Sequence, residues 1–325
     1  MTYDRRQILK STIAAAATGL LTLPAKAQDY PAGDIHFVCA FPPGGGADIL
    51  TRYFAEKLRV AANRTVVVEN RPGATGNIAT EYVARAKPDG YTILVHAGSG
   101  IAANAALYKN SLVDASSALQ VVATLNRQAY MLVVDARKPW KTVGELTAFL
   151  KEKGDKATYA SVAVTARIMG ALYRDAAGLK AVEVQYKSTL SSLNDMTGGA
   201  IDFAWHDPTF AMSQAREGRV RILAVASGTR IDTMPEIPTM AENGVPANLV
   251  GWFAAMVPAK TPKPVVDQLN VWLSEIVRRP ETKKFLNDSG SDAWATMPEE
   301  GQKFFQQQLV DWKRYIEQAK IEQDG

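Results

Sequence analysis

An apolar run, Ile35-His36-Phe37-Val38-Cys39-Ala40-Phe41, leads into Pro42-Pro43-Gly44-Gly45-Gly46 and then into a segment of helical spacing. In that segment Ile49, Tyr53, Phe54 and Lys57-Leu58 recur as one face of a helix. The stretch therefore reads as strand, glycine loop and helix. Three glycines carry no Cβ, so another group can approach the backbone closely. The helix start adds free N–H groups and the positive end of its dipole. No Lys-Ser/Thr pair follows, as a nucleotide phosphate loop requires, and the spacing is not Gly-x-Gly-x-x-Gly. Two readings stay open: a tight β-to-α connection, or a cradle suited to a carboxylate.

The same alternation continues down the chain. Thr65–Asn70 reads as a strand, residues 71–76 as a turn, and Asn77 as the N-cap of a helix to Ala86. Tyr91–His96 is a third strand, followed by Ala97-Gly98-Ser99-Gly100 and a helix to Tyr108. Strands and helices joined by short loops imply an α/β fold, with parallel sheets covered on both faces. Ligands of such sheets sit beyond the carboxyl ends of the strands, where Gly44–Gly46 and Gly98–Gly100 both fall. Leu119–Leu125 and Ala129–Val134, separated by Asn126-Arg127-Gln128, read as strand passing from one domain into another. The pattern then restarts. Thr142, with Glu145 as capping-box partner, opens a helix. Strands are expected at 157–161, 181–186, 201–205 and 220–226. Val250–Val257 reads as a second crossover strand. The tail is helical, with Phe304, Leu309, Trp312, Tyr315 and Ile316 as its docking stripe. The similarity of the two halves is architectural, with no repeat of fixed period.

The 325 residues favour two domains. A net charge of +4 owes most of its excess to Arg5, Arg6, Lys10 and Lys26, and the remaining chain is nearly neutral. No basic face for nucleic acid is implied. The single cysteine, Cys39, excludes an intrachain disulfide and a cysteine-rich metal site. Residues 1–27 have the layout of a secretory signal: a basic start, an alanine-rich apolar run and Ala25-Lys26-Ala27 before a cut. Arg5-Arg6 followed by Gln-Ile-Leu-Lys looks like a twin-arginine signal, with a Sec-type signal as the other reading. The run is shorter than the roughly 20 residues that span a bilayer. A soluble, exported, periplasmic protein is expected.

Several segments, in order, resemble the Bug-type periplasmic solute receptors of tripartite tricarboxylate transporters. They are Phe41–Asp48, Val66–Asn77, Lys87–Thr92, Gly198–Asp202, Leu223–Ala226 and Ile237–Gly244. The resemblance runs over essentially all of residues 30–322. It implies a two-lobed periplasmic-binding-protein fold of type II, each lobe a mainly parallel sheet with helices on both faces, joined by two crossover strands. Lobe 1 would comprise 28–125 plus 251–325, and lobe 2 residues 126–250. It further implies capture of a small carboxylate, presentation to membrane subunits, no catalysis and no cofactor. A monomer is expected. In the family, the loop matching Phe41–Asp48 holds a ligand carboxylate by its amides, and the loop matching Gly98-Ser99 helps complete the cleft.

The second half departs from the family pattern. Ser161–Arg167 replaces a glycine- and serine-rich loop and places Arg167 near the usual His. His206, with Asp207 beside it, stands where an aspartate is usual, and Ser188 replaces a glycine. The expected ligand contacts are therefore Phe41, Gly44, Gly45, Gly46, Ala47, Gly98, Ser99, Thr165, Arg167, Tyr186, His206 and Asp207. Arg167 is expected to clamp a second carboxylate bidentately, or else to be a solvated surface arginine. His206 is expected to donate to a carboxylate, or to be a structural histidine held by Asp207. Trp205 is expected in the core by alternation, or else stacked on an aromatic ligand, and Asp48 to cap or link and not to touch ligand. His36, His96 and His206 show no metal-type spacing. A mono- or dicarboxylate receptor is the leading reading, with an aromatic carboxylate compatible. An exported hydrolase is weakened because Ala97 breaks Gly-x-Ser-x-Gly around Ser99. A ligand-sensing adaptor for a membrane partner stays open.

Overall fold

Strand β1 (Ile35–Cys39) lies between β2 (Val66–Asn70) and β3 (Thr92–Ala97), parallel to both. Ile35, Phe37, Val38 and Cys39 are fully buried, as a strand covered on both faces requires. Helix α1 (Gly46–Ala62) makes the first crossover and buries Leu50, Phe54 and Leu58 along one stripe. Helix α2 (Asn77–Ala84) makes the second. Helix α3 (Gly98–Leu107) starts directly from the end of β3 and is buried almost all round, which its glycine- and alanine-rich sequence permits. These are the elements of a computed structural model that describes residues 30–44, 46–108, 113–162, 164–186, 188–245, 249–319 and 321. The proposed signal segment, residues 1–27, and Gly45 lie outside the described residues. Residues Gly33–Gly325 form one unit.

After a one-turn helix α4 (Ala115–Ala118), β4 (Leu119–Ala129) runs along the first sheet. A single residue, Tyr130, separates it from β5 (Met131–Asp135), which belongs to the second sheet. The second sheet is completed by β6 (Thr158–Ser161), β7 (Val182–Gln185), β8 (Phe203–His206) and β9 (Val220–Val225), in the order β7-β6-β8-β5-β9. Its helices are α5 (Val143–Lys153), α6 (Val164–Ala177), α7 (Thr189–Thr197) and α8 (Pro208–Arg216). The capping box at Thr142 and Glu145 is present, each side chain taking the other's backbone N–H.

The chain returns through β10 (Val250–Pro258), which pairs antiparallel with both β3 and β4. It ends with α9 (Lys263–Arg278), α10 (Pro280–Asp288), β11 (Ser291–Ala293) and α11 (Pro298–Gln318). The first sheet thus has the order β11-β4-β10-β3-β1-β2. Parallel pairs occur where a helix connects the strands: β1 with β2 and β3, and β6 with β7 and β8. The crossing strands add antiparallel pairs, so both sheets are mixed. The three-residue β11 carries no sequence signal of its own and forms because β4 offers it a free edge. The buried face of α11 is Phe305, Trp312, Tyr315 and Ile316. Phe305 is its fully buried phenylalanine, and Phe304 and Leu309 flank the stripe.

Candidate functional site

A cavity of about 570 Å³ lies beyond the carboxyl ends of β1 and β3, with walls from both sheets. It falls within the range of roughly 300–1,000 Å³ that small-molecule sites occupy. The first sheet contributes Phe41, the α1 start at Gly46 and Ala47, the turn residues Pro72, Gly73, Thr75 and Gly76, His96, and the α3 start at Ser99 and Gly100. The second contributes Val164 and Thr165 at the start of α6, and Asp207 and Thr209 at the start of α8. Tyr130 lines it from the crossing point. Four helix N-termini therefore face one volume. Each adds the positive end of its dipole. None of the described residues lining it is a lysine or arginine.

The glycine loop is held by Asp48. Its Oδ2 accepts from the Gly44 N–H at 2.9 Å and from Arg52 Nε at 3.0 Å, and its Oδ1 accepts from Asn70 Nδ2 at 2.7 Å. Asn70 Nδ2 also donates to the Phe41 carbonyl at 3.0 Å. Burial opposes ionisation of Asp48, but the Arg52, Gly44 and Asn70 donors outweigh it and hold the pKa down at about 2. Asp48 thus shapes the loop and does not line the cavity.

His96 is the least expected member of the wall. It is 1% exposed. The Ala97 N–H donates to its Nδ1 at 2.7 Å, which places the proton of the neutral ring on Nε2. Burial lowers its pKa to about 4, so the ring is neutral at physiological pH. Nε2–H has no partner among the described residues. Phe41 meets the ring edge-on at 5.2 Å between centroids. Gly76 sits against it: a Cβ there would lie 2.2 Å from Nε2, so no larger residue fits. Nearby, Asn104 Nδ2 donates to the Thr75 carbonyl and to Asn77 Oδ1, while its Oδ1 is left unpaired.

Of the sequence-expected residues, the structure brings together Phe41, Gly46, Ala47, Ser99, Thr165 and Asp207 in the cavity wall. Gly44, Gly98, Arg167, Tyr186 and His206 do not line it. The Gly44 N–H is taken by Asp48. Gly98 faces the Trp252 indole, where a Cβ would come within 2.1 Å, so its role is packing. Arg167 Nε lies 3.2 Å from Glu183 Oε1, an ion pair that replaces the expected ligand clamp. Tyr186 donates its hydroxyl to Asp195 Oδ2 at 2.6 Å. Burial and that carboxylate push the phenol up to about 12. His206 is buried against the edge of Phe210, and burial lowers its pKa to about 4. Asp207 does not hold His206. It caps α8, its Oδ1 accepting from the Phe210 N–H at 3.0 Å. Trp205, on the opposite face of β8, is fully buried in the core.

Sequence reasoning passed over Asn126, Gln128, Tyr130 and the α10–β11 turn. Asn126 and Gln128 interrupt an apolar strand, which was a usable signal. Asn126 Oδ1 accepts the Phe253 N–H at 3.0 Å, where β10 shifts register against β4. Burial pushes the Tyr130 hydroxyl well above the ordinary phenol range, Asp207 adds to this, and a Thr165 hydrogen bond works against it. Tyr130 therefore stays protonated. The α10–β11 turn reaches the cavity because Phe285 stacks on Tyr53 of α1 at 4.0 Å, and Tyr53 and Thr282 hydroxyls lie 2.9 Å apart. No sequence pattern reports that contact. Across the cavity mouth, Thr209 Oγ1 donates to the Ser289 carbonyl at 3.1 Å and Arg216 to that of Asp288 at 3.2 Å.

Comparison with known proteins agrees with this architecture. BugT of Bordetella pertussis is 26% identical over 307 residues, 93% of this chain and 94% of the relative. The solved periplasmic binding protein BugD superposes with a TM-score of 0.77 at 30% identity, covering 91% of this chain and 100% of that one. Rpa4515 of R. palustris, solved with adipate, gives 0.80 at 26% identity over 90% and 99% of the two chains. The family model described as "Tripartite tricarboxylate transporter family receptor" matches residues 50–321, and the chain belongs to that family of solute-binding receptors.

Proposed function

We propose that this receptor works outside the cytoplasm, captures a small carboxylate in the cleft between its two sheets, and presents it to membrane subunits of a tripartite transporter without turning it over. The first sheet with α9–α11 forms one lobe and the second sheet the other. Residues 1–27 direct export to the periplasm and are removed near Ala27, and the mature protein acts as a monomer.

The observation that carries the reading is the first-sheet wall. Helices α1 and α3 both point their N-termini into the cavity beside the unpartnered Nε2–H of His96 and the Ser99 side chain. Side-chain donors beside two helix N-termini suit a carboxylate. The adipate reported for Rpa4515 supports the same ligand class. Gly46, Ala47, Ser99 and His96 are the contacts we assign to it.

Among the described residues no helix is long and apolar enough to cross a membrane. As for catalysis, the Nδ1 of His96, the nearest histidine in sequence to Ser99, is occupied by the Ala97 N–H.

A thermal-shift screen against short aliphatic and aromatic carboxylates tests the assignment. Ligand at a hundredfold excess over its dissociation constant adds about 2.7 kcal/mol of stability, a clear rise in Tm. Ser99→Ala is expected to reduce the shift. A sugar or metal cation that raises Tm while no carboxylate does would overturn the reading. So would steady ester or amide hydrolysis lost in Ser99→Ala.

A further inference from the structure

The far wall of the cavity does not match a second carboxylate. The residue expected to clamp one, Arg167, is paired with Glu183, and His206 is buried without a proton to spare for a salt bridge. What the second sheet presents instead is an acid, Asp207, beside the Tyr130 hydroxyl and Thr165. No cationic side chain among the described lining residues balances it. A ligand with carboxylates at both ends would set one of them against Asp207 in a partly dehydrated site, where like charges cost most.

Resting on the carboxylate reading above, we propose that Asp207 selects ligands whose far end is an amino group: the carboxylate sits on the first-sheet wall and the ammonium meets Asp207. The ligand class is thus a zwitterionic amino carboxylate. The cavity is built for such a dipole. The first-sheet wall holds the α1 and α3 N-termini with the His96 and Ser99 donors; the second-sheet wall holds the α6 and α8 N-termini too, but there an acid, Asp207, and a phenol that burial keeps protonated stand in front of them. Asp207 Oδ1 accepts from the Phe210 N–H as the α8 cap. That bond fixes the carboxyl group's orientation in the wall.

The test uses matched ligands on the mature chain: γ-aminobutyrate, succinate and butyrate, then δ-aminovalerate, glutarate and valerate, measured by calorimetric titration. Asp207→Asn removes the charge and keeps a good N-cap, and Asp207→Ser serves as a second cap-preserving variant. Circular dichroism melts of both check that α8 stays folded. The wild type is expected to bind an amino acid of one pair at least about tenfold tighter than its diacid, and both variants to lose that preference by a similar factor. Equal or tighter diacid binding by the wild type would overturn the proposal. So would an amino-acid preference that survives in both variants. In either case carboxylates still bind and the receptor reading stands. If no member of either series binds while a sugar does, the receptor reading itself falls.

Discussion

Asp48 accepts a hydrogen bond from the Gly44 N–H at 2.9 Å, closing the glycine loop on the first turn of the helix that follows it. The same carboxylate binds Arg52 and Asn70, and Asn70 reaches back to the Phe41 carbonyl. One acid thus ties Gly44, Arg52 and Asn70 together. It leaves Gly46 and Ala47, at the helix start, in the cavity wall.

Asp48→Ala is expected to cost about 3 kcal/mol, because it strands buried donors that a charged acceptor satisfied. Urea denaturation measures this. Asp48→Asn is expected to cost less, since it keeps an acceptor for Gly44. In both variants carboxylate affinity falls along with stability. A stability loss below about 0.5 kcal/mol in Asp48→Ala would contradict the assigned role.

Stability is expected to fall as pH drops from 6.5 towards 4. His96 and His206 are both buried, with pKa lowered by desolvation to about 4. The unfolded chain therefore binds more protons in that window, and each histidine removes up to about 1.4 kcal/mol of stability per pH unit. Asp48, lowered to about 2, acts in the same sense below its ordinary value of 3.8. Asp207 and Asp292, raised by burial, act in the opposite sense. Melting curves of His206→Asn should show a flatter acid limb than wild type. An unchanged slope would contradict the assignment.

Arg167→Ala is expected to change ligand affinity by less than about twofold. Its ion pair with Glu183 is 35% exposed on the arginine side and contributes at most about 1 kcal/mol of stability. A large loss of carboxylate affinity in this variant would restore Arg167 as a ligand contact.

Gly290→Ala should disturb the closed mouth of the cavity. Gly290 has φ +73°, and a Cβ there would lie 2.3 Å from Met212 Sδ and 2.8 Å from Pro208 Cβ. The methionine can move, but the proline and the left-handed backbone cannot, so about 1–3 kcal/mol is expected from strain. The turn that carries Ser289 and Asp288 would draw away from Thr209 and Arg216. Small-angle scattering of the variant with ligand should report a more open average shape than wild type.

The first sheet was legible because its code is local. The run Ile35–Phe41 and the glycines after it announce strand, turn and helix by residue type alone, as the Thr142–Glu145 box does for α5 beside the second sheet. The second wall was legible only in part. Thr165 and Asp207 could be placed at helix starts from their position after strands. The partners of Arg167, His206 and Tyr186 are set by tertiary packing against Glu183, Phe210 and Asp195, and no periodicity encodes them. His96 looked like one more strand residue. What marks it out is the Ala97 N–H on Nδ1 and the glycines packed against its ring, both visible only in three dimensions. The α10–β11 turn entered the cavity through a stacking contact between residues more than two hundred positions apart.

The most direct measurement is calorimetric titration of the mature chain with a panel of short carboxylates, sugars and divalent cations, run beside Ser99→Ala and His96→Phe. The account predicts saturable binding of at least one carboxylate, weakened about tenfold or more in each variant as a buried donor to a charged group is removed. Saturable binding of a sugar or cation, with no carboxylate bound, would contradict it, as would carboxylate affinity that neither variant changes.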